Sequence, residues 1–156
     1  EPLAADLEKR YPEDTSVQTS YLPTLRGLFS LAANQPLQAI ERLQIAQPYE
    51  IADPAINFLA FFGSFYPVYV RGEAYLGARK GAEAATEFQK ILDHRGLVLG
   101  DPIGARARVG LGRAWTMAGD QAKAEAAYEE FLALWKEADV DVPLLAQAKA
   151  ELARLR

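Results

Sequence analysis

Few residues in this chain could do chemistry, and they do not converge. Asp93, His94 and Arg95 form the most reactive-looking triplet, followed by Gly96 and a longer link to Asp101. His94 is the single histidine, which argues against a metal site built on two or three imidazoles. Cysteine is absent, so disulfides, thiolate ligands and thiol nucleophiles are absent with it. The triplet could hold an anion or make a pH-sensitive contact. The simpler reading puts His94 and Arg95 in the last turn of a helix, where positive charge complements unpaired carbonyls, with Gly96 ending that helix. Carboxylates at Glu73, Glu83, Glu87, Asp93, Asp101 and Asp120 fall at helix ends or on wet faces, and Asp101 and Asp120 suit N-caps. Ser16, Ser20, Ser30 and Ser64 have neither a nearby base nor a glycine-flanked nucleophile turn. With no set of nucleophile, base and orienter, the expectation is no catalytic residue, no metal and no cofactor.

Composition narrows the classes further. The chain has 156 residues, half of them apolar, with 17 basic and 21 acidic side chains. That length suits one domain with a core of its own. A net charge of -4 argues against a nucleic-acid surface, which needs clustered lysine and arginine. No stretch of about 20 residues is free of charge and turn residues, so no membrane insertion by this segment is expected. The first residue is Glu1 and residues 1–10 read as an amphipathic helix, so the chain is expected to be a piece of a longer protein, with localisation left open.

Positioning these groups falls to helices. Apolar residues recur at spacings of three and four, alanine dominates, and alternating runs of Val, Ile and Thr are missing, which predicts an all-α protein. Helices are predicted at about 2–10, 15–33, 36–47, 66–79, 82–95, 102–118, 120–137 and 143–155. N-caps are offered by Asp14, by Thr15 with Gln18 three residues on, and by Asp53 and Asp101, each before a proline. Gly81, Gly96 and Gly119 suit helix ends.

Three segments share one pattern. Gly112, Trp115, Ala124 and Tyr128 are spaced by three, nine and four residues. Gly72, Tyr75, Ala84 and Phe88 repeat the spacing, as do Gly27, Ser30, Ala39 and Leu43. Ala46, Ile91 and Phe131 follow three residues later. Small residues at fixed places mark close helix crossings, and the large ones mark what fills the space beside them, with the Trp115 ring expected beside Gly112.

At these residues the chain resembles the tetratricopeptide repeat (TPR) family, whose 34-residue helix-turn-helix unit carries a small residue and an aromatic on its first helix and an alanine and an aromatic on its second. The offsets here are 45 residues from Gly27 to Gly72 and 40 from Gly72 to Gly112, so the links are longer than the family's. The resemblance implies repeats stacked as a right-handed superhelical solenoid. Residues 1–12 would be the second helix of a truncated repeat closed by Tyr11-Pro12, followed by repeats at 15–47, 66–96 and 102–138, an aromatic insertion at 48–65, and a capping helix at 143–156. In the capping helix Leu144, Leu145, Ala148 and Leu152 form one apolar stripe, expected to cover Phe131, Leu134 and Trp135. The strings from Tyr66 to Tyr75, Phe88 to Gly96, Asp101 to Gly104 and Phe131 to Lys136 are similar to C-terminal repeat regions of acidobacterial serine/threonine kinases and winged-helix regulators. This implies a sensory or scaffolding segment of a larger, bacterial signalling protein, with neither effector domain in the chain.

In that family the first helix of each pair lines a concave groove that captures a protein or peptide partner. By register the lining here is Tyr21, Thr24 and Leu28, then Tyr66, Tyr69 and Glu73, then Arg106, Val109 and Arg113. The lysine and asparagine places that clamp a chaperone C-terminal carboxylate hold Thr24, Leu28, Tyr69, Glu73, Val109 and Arg113, which argues against such a clamp, although Arg106 and Arg113 leave room for an acidic peptide end. Phe58, Phe61, Phe62 and Phe65 are too close together to stand exposed in a wet loop. They either pack within the chain, lengthening the helix that opens the next repeat, or form an association surface for a partner or a homo-dimer. A structural or dimerisation spacer is therefore the alternative to a partner-binding module.

The register of the first residues generates a prediction. A second helix without its first-helix partner leaves a face uncovered, so Ala4, Leu7 and Tyr11 are expected to pack forward while the backward side is open. In amide exchange, residues 3–10 should be the least protected helical segment. Slow exchange there would mark a true cap instead.

Overall fold

The computed structural model describes residues 2–51, 65–98, 100–139 and 141–156, and the described residues are helical without strands. Helix α1 spans Pro2–Arg10, and α2, Leu22–Ala32, continues from a π-helical turn at Val17–Tyr21. Helix α3, Pro36–Leu43, runs into a 3₁₀ stretch at Gln44–Tyr49. Then come α4 (Tyr66–Gly77), α5 (Gly81–Asp93), the single turn α6 (Arg95–Val98), α7 (Ile103–Ala118), α8 (Gln121–Leu134) and α9 (Pro143–Leu155).

The three glycine-bearing helices are joined to their successors by one and the same turn. Asn34, Arg79 and Gly119 all adopt left-handed backbone, with φ of 57°, 62° and 82°. The amides of Gln35, Lys80 and Asp120 each donate to the carbonyl five residues earlier, at 2.8, 2.9 and 3.0 Å, and those of Asn34, Arg79 and Gly119 donate three residues back. This is the Schellman closure of a helix C-terminus, and it reverses the chain within three residues. Gly119 was legible as such an end. Gly81 was not an end: it opens α5, where an added Cβ would lie 2.7 Å from the Ala114 carbonyl oxygen, so it is small because α5 and α7 nearly touch.

Each hairpin is filled the same way. A Cβ on Gly27 would meet the Leu43 side chain at 3.0 Å, on Gly72 the Phe88 ring at 2.7 Å, and on Gly112 the Tyr128 ring at 2.6 Å. Ala39, Ala84 and Ala124 are buried at the crossings. Phe88 also lies against Gly110, at 2.7 Å from its would-be Cβ, so one ring is held between α4 and α7. Helix α4 packs against α2, α3, α5 and α7, and α7 against α5 and α8.

Both ends are closed by single helices. Ala4 of α1 is buried with Val17 and Leu22, with Leu7 partly buried beside them, while Leu3 is 83% exposed. Tyr11 does not join them: α1 stops at Arg10, and exposed Tyr11 turns away with its carbonyl accepting from Gln18 Nε2. Helix α9 buries Leu145, Ala148 and Leu152 against Phe131 and Tyr128, with Trp135 stacked on Phe131 at 5.4 Å. Leu134 is 60% exposed, a correction: Trp135, half-buried and stacked on Phe131, takes the next inward place after it and leaves Leu134 outside.

Two helix limits also differ from expectation. Asp14, whose Oδ1 accepts from Val17 N–H at 2.9 Å, caps the second helical segment, and Gln18 reaches back to Tyr11 instead of closing a box with Thr15. Helix α5 ends at Asp93 with His94 outside it, and Gly96 sits inside α6, so Gly96 terminates nothing. His94 Nδ1 approaches the Lys90 carbonyl at 2.7 Å, and its ring faces Phe65. Asp53-Pro54 lies outside the described residues.

Tyr128, not Trp115, fills the space at Gly112; Trp115 is half-buried with Lys123 Nζ 4.3 Å from its ring centroid. Thermal or denaturant unfolding should therefore show Phe88→Ala costing about 3–5 kcal/mol and Trp115→Ala clearly less. Ala84→Leu and Ala124→Leu should each cost about 1–3 kcal/mol by overpacking. Changes within a few tenths at both alanines would refute the crossing register.

Candidate functional site

Because α4 packs beside both α2 and α7, the lining residues expected from register occupy equivalent places on neighbouring helices. The structure brings the α4 and α7 groups together. The Tyr66 hydroxyl donates to Asp101 Oδ1 at 3.3 Å, and the same oxygen accepts from Ile103 N–H at 2.9 Å, capping α7. The Tyr69 ring rests on Phe88 with centroids 5.7 Å apart, and its hydroxyl interacts with Glu73 and Arg106. Burial, followed by the Glu73 charge, pushes that hydroxyl up to about 12.

Glu73 is the most constrained carboxylate of this face. Burial raises its pKa, while the Arg113, Tyr69 and Arg106 groups work in the opposite direction. Its Oε1 is buried without a hydrogen-bond partner among the described residues. Arg106 is exposed and, among the described residues, forms no close ion pair, so it remains the open cation of the face.

Arg113 is already engaged. Its Nε and Nη2 hold Glu151 of α9 at 2.9 and 2.8 Å, and Nη2 also donates to Gln147 at 3.2 Å. Tyr128 O–H donates to the same Glu151 at 2.8 Å. Burial, with the Glu151 contact behind it, raises the Tyr128 hydroxyl. Arg113 is thus a strut to the terminal helix, and the expectation that it waits for an acidic peptide end is corrected. Val109 is corrected too: it is 0% exposed, sealed by Leu145, Ala148 and Leu152, because α9 covers the side of α7 that an open groove would leave bare.

Tyr21, at the end of the π-helical turn, and Leu28 of α2 are exposed, and the half-buried Thr24 turns its hydroxyl to the Ser20 carbonyl at 2.7 Å. Phe65 is 3% exposed in the core formed with α5 and α7, so it cannot belong to an association surface; its aromatic side chain is used inside. Phe58, Phe61 and Phe62 lie outside the described residues.

One polar cluster was missed by sequence reasoning. Arg71, 1% exposed, donates from Nη1 to Glu50 at 2.5 Å and to the Leu43 carbonyl at 3.3 Å, and from Nη2 to Glu87 at 2.6 Å. Lys90 Nζ completes the set on Glu50. Burial opposes the Arg71 charge, but the Glu87 and Glu50 contacts outweigh it and hold the guanidinium firmly protonated. Its Nε is without a hydrogen-bond partner among the described residues. The signal was partial: the place before the repeat glycine is held by buried Leu111 in the third copy but by the half-exposed Arg26, paired with Glu8, in the first, so register alone did not say that Arg71 is enclosed.

Among the described residues, no group of three His, Asp or Glu side chains could hold a metal ion, and no helix is long and apolar enough to cross a membrane.

The Arg113–Glu151 strut gives a pH prediction. Burial works against the Glu151 charge, yet Arg113 and Tyr128 hold its carboxyl below the ordinary 4.5. A depressed folded value contributes stability fully above the ordinary value and loses it as pH falls through the folded one. Glu151→Gln should cost about 2 kcal/mol near neutral pH and flatten the acid limb of a stability-versus-pH curve below the ordinary carboxylate value. An unchanged acid limb would show that the strut carries no titration-linked stability.

No protein-family model matches the chain, and no curated protein matches it.

Proposed function

We propose that the chain is a TPR-like right-handed superhelical solenoid acting as a non-catalytic protein-interaction module, as the C-terminal sensory or scaffolding segment of a larger bacterial signalling protein. The observation that carries the reading is the face formed by α4 and α7. Tyr66, Tyr69, Glu73 and Arg106 meet there on the first helices of successive hairpins, with Tyr21 and Leu28 exposed on the neighbouring first helix. The exposed Tyr66 and half-buried Tyr69 beside a solvent-facing guanidinium that forms no close ion pair among the described residues favour peptide recognition, since such anchors give most of the binding energy at small interfaces. The three identical Schellman turns and the three glycine-to-large contacts support the repeat reading that underlies it.

Binding would be carried by Tyr69 and Arg106, with Arg113 reserved for the fold. A peptide selected on the intact chain from a random display library should bind Tyr69→Ala/Arg106→Ala about tenfold more weakly or worse, with the melting temperature little changed. Leu134→Ala, on the outer side, should bind as the parent does. Selected peptides that ignore the Tyr69 and Arg106 changes would overturn the assignment of this face.

A further inference from the structure

The buried cluster around Arg71 does more than satisfy an arginine. Its members come from four separate pieces of chain: Glu50 at the end of the stretch after α3, the carbonyl of Leu43 at the C-terminus of α3, Arg71 on α4, and Glu87 with Lys90 on α5. Glu50 is the only one of the charged four that belongs to no α-helix, and its side chain is fully enclosed. The stretch it ends is held weakly otherwise. Of residues 44–51 only Ala46 and Glu50 are buried, while Ile45, Tyr49 and Ile51 stand exposed. Pro48 interrupts its 3₁₀ hydrogen bonding as well.

We infer that residues 44–51 form a strap closed over the joint between the α2–α3 and α4–α5 hairpins by an ionic latch at Glu50, and that the strap opens as a unit while the remaining helices stay folded. Two arguments carry this. A carboxylate facing two cations in a closed site has a steep, short-range attachment, so partial withdrawal leaves Arg71 buried with one of its two carboxylates, and intermediate positions are disfavoured. Besides its contact with the π-helical turn at Val17–Tyr21, the strap buries one small apolar side chain of its own and so loses little apolar burial on leaving, whereas α4 and α5 keep Phe88, Ile91 and Val68 between them.

Native-state amide exchange of the full chain tests the latch. In Glu50→Gln the strap amides should exchange about tenfold faster or more, while those of α8 and α9 change by less than about twofold. Glu87→Gln removes a partner of Arg71 that is not on the strap. It should quicken α4 and α5 amides without singling out residues 44–51. If Glu50→Gln does not fold, Lys90→Met, at a half-exposed position of the same latch, should give a smaller acceleration confined to the strap. Strap exchange that rises no more than that of α8 and α9, or that rises equally in Glu87→Gln, would overturn the inference.

Discussion

The ring of Phe88 between Gly72 and Gly110 is the contact on which the middle of the molecule depends. Glycine on both sides lets α4 and α7 come close to one aromatic side chain from α5, and any Cβ at either place would overlap the ring. Three helices are thereby set at a fixed separation, which no arrangement of merely apolar residues would dictate. The polar face follows from it. Tyr69 rests on the same ring, and Glu73 stands one turn further along α4, so their distances to Arg106 and Arg113 are fixed by how closely α4 and α7 approach.

Charge is handled differently at the two ends of this assembly. Around Arg71 four charged groups are matched, two of each sign, with Arg71 and Glu50 taken fully out of water, which costs desolvation but fixes which segments meet. Around Arg113 the matching is partial and half-exposed, and it joins the terminal helix to the last hairpin. Arg106 is left over between them.

Periodicity and punctuation made the helices legible: α1, α4, α7 and α9 begin within about a residue or two of the sequence reading, because proline, Asp101 and the apolar spacing act locally. The triplets Gly27, Gly72, Gly112 and Leu43, Phe88, Tyr128 were readable for the same reason, since each pair meets across a single short turn. What the sequence hid depends on distance along the chain. Glu50 and Arg71 are 21 residues apart, and Arg113 and Glu151 are 38 apart, so neither pairing leaves a local trace. Val109 was misplaced, and Phe65 was left between two alternatives, for a related reason. Register says which side of a helix a residue occupies, and only the neighbouring helix decides whether that side is open.

Asn34, Arg79 and Gly119 close three hairpins with the same hydrogen bonds and the same backbone sign, although only one is glycine. The turn is therefore specified by its hydrogen-bonding frame more than by the identity of its left-handed residue, and the hairpins are interchangeable at their joints. Each turn can therefore vary at its left-handed residue without changing which carbonyls its amides reach, so the path of the chain through these reversals depends on backbone more than on side chain.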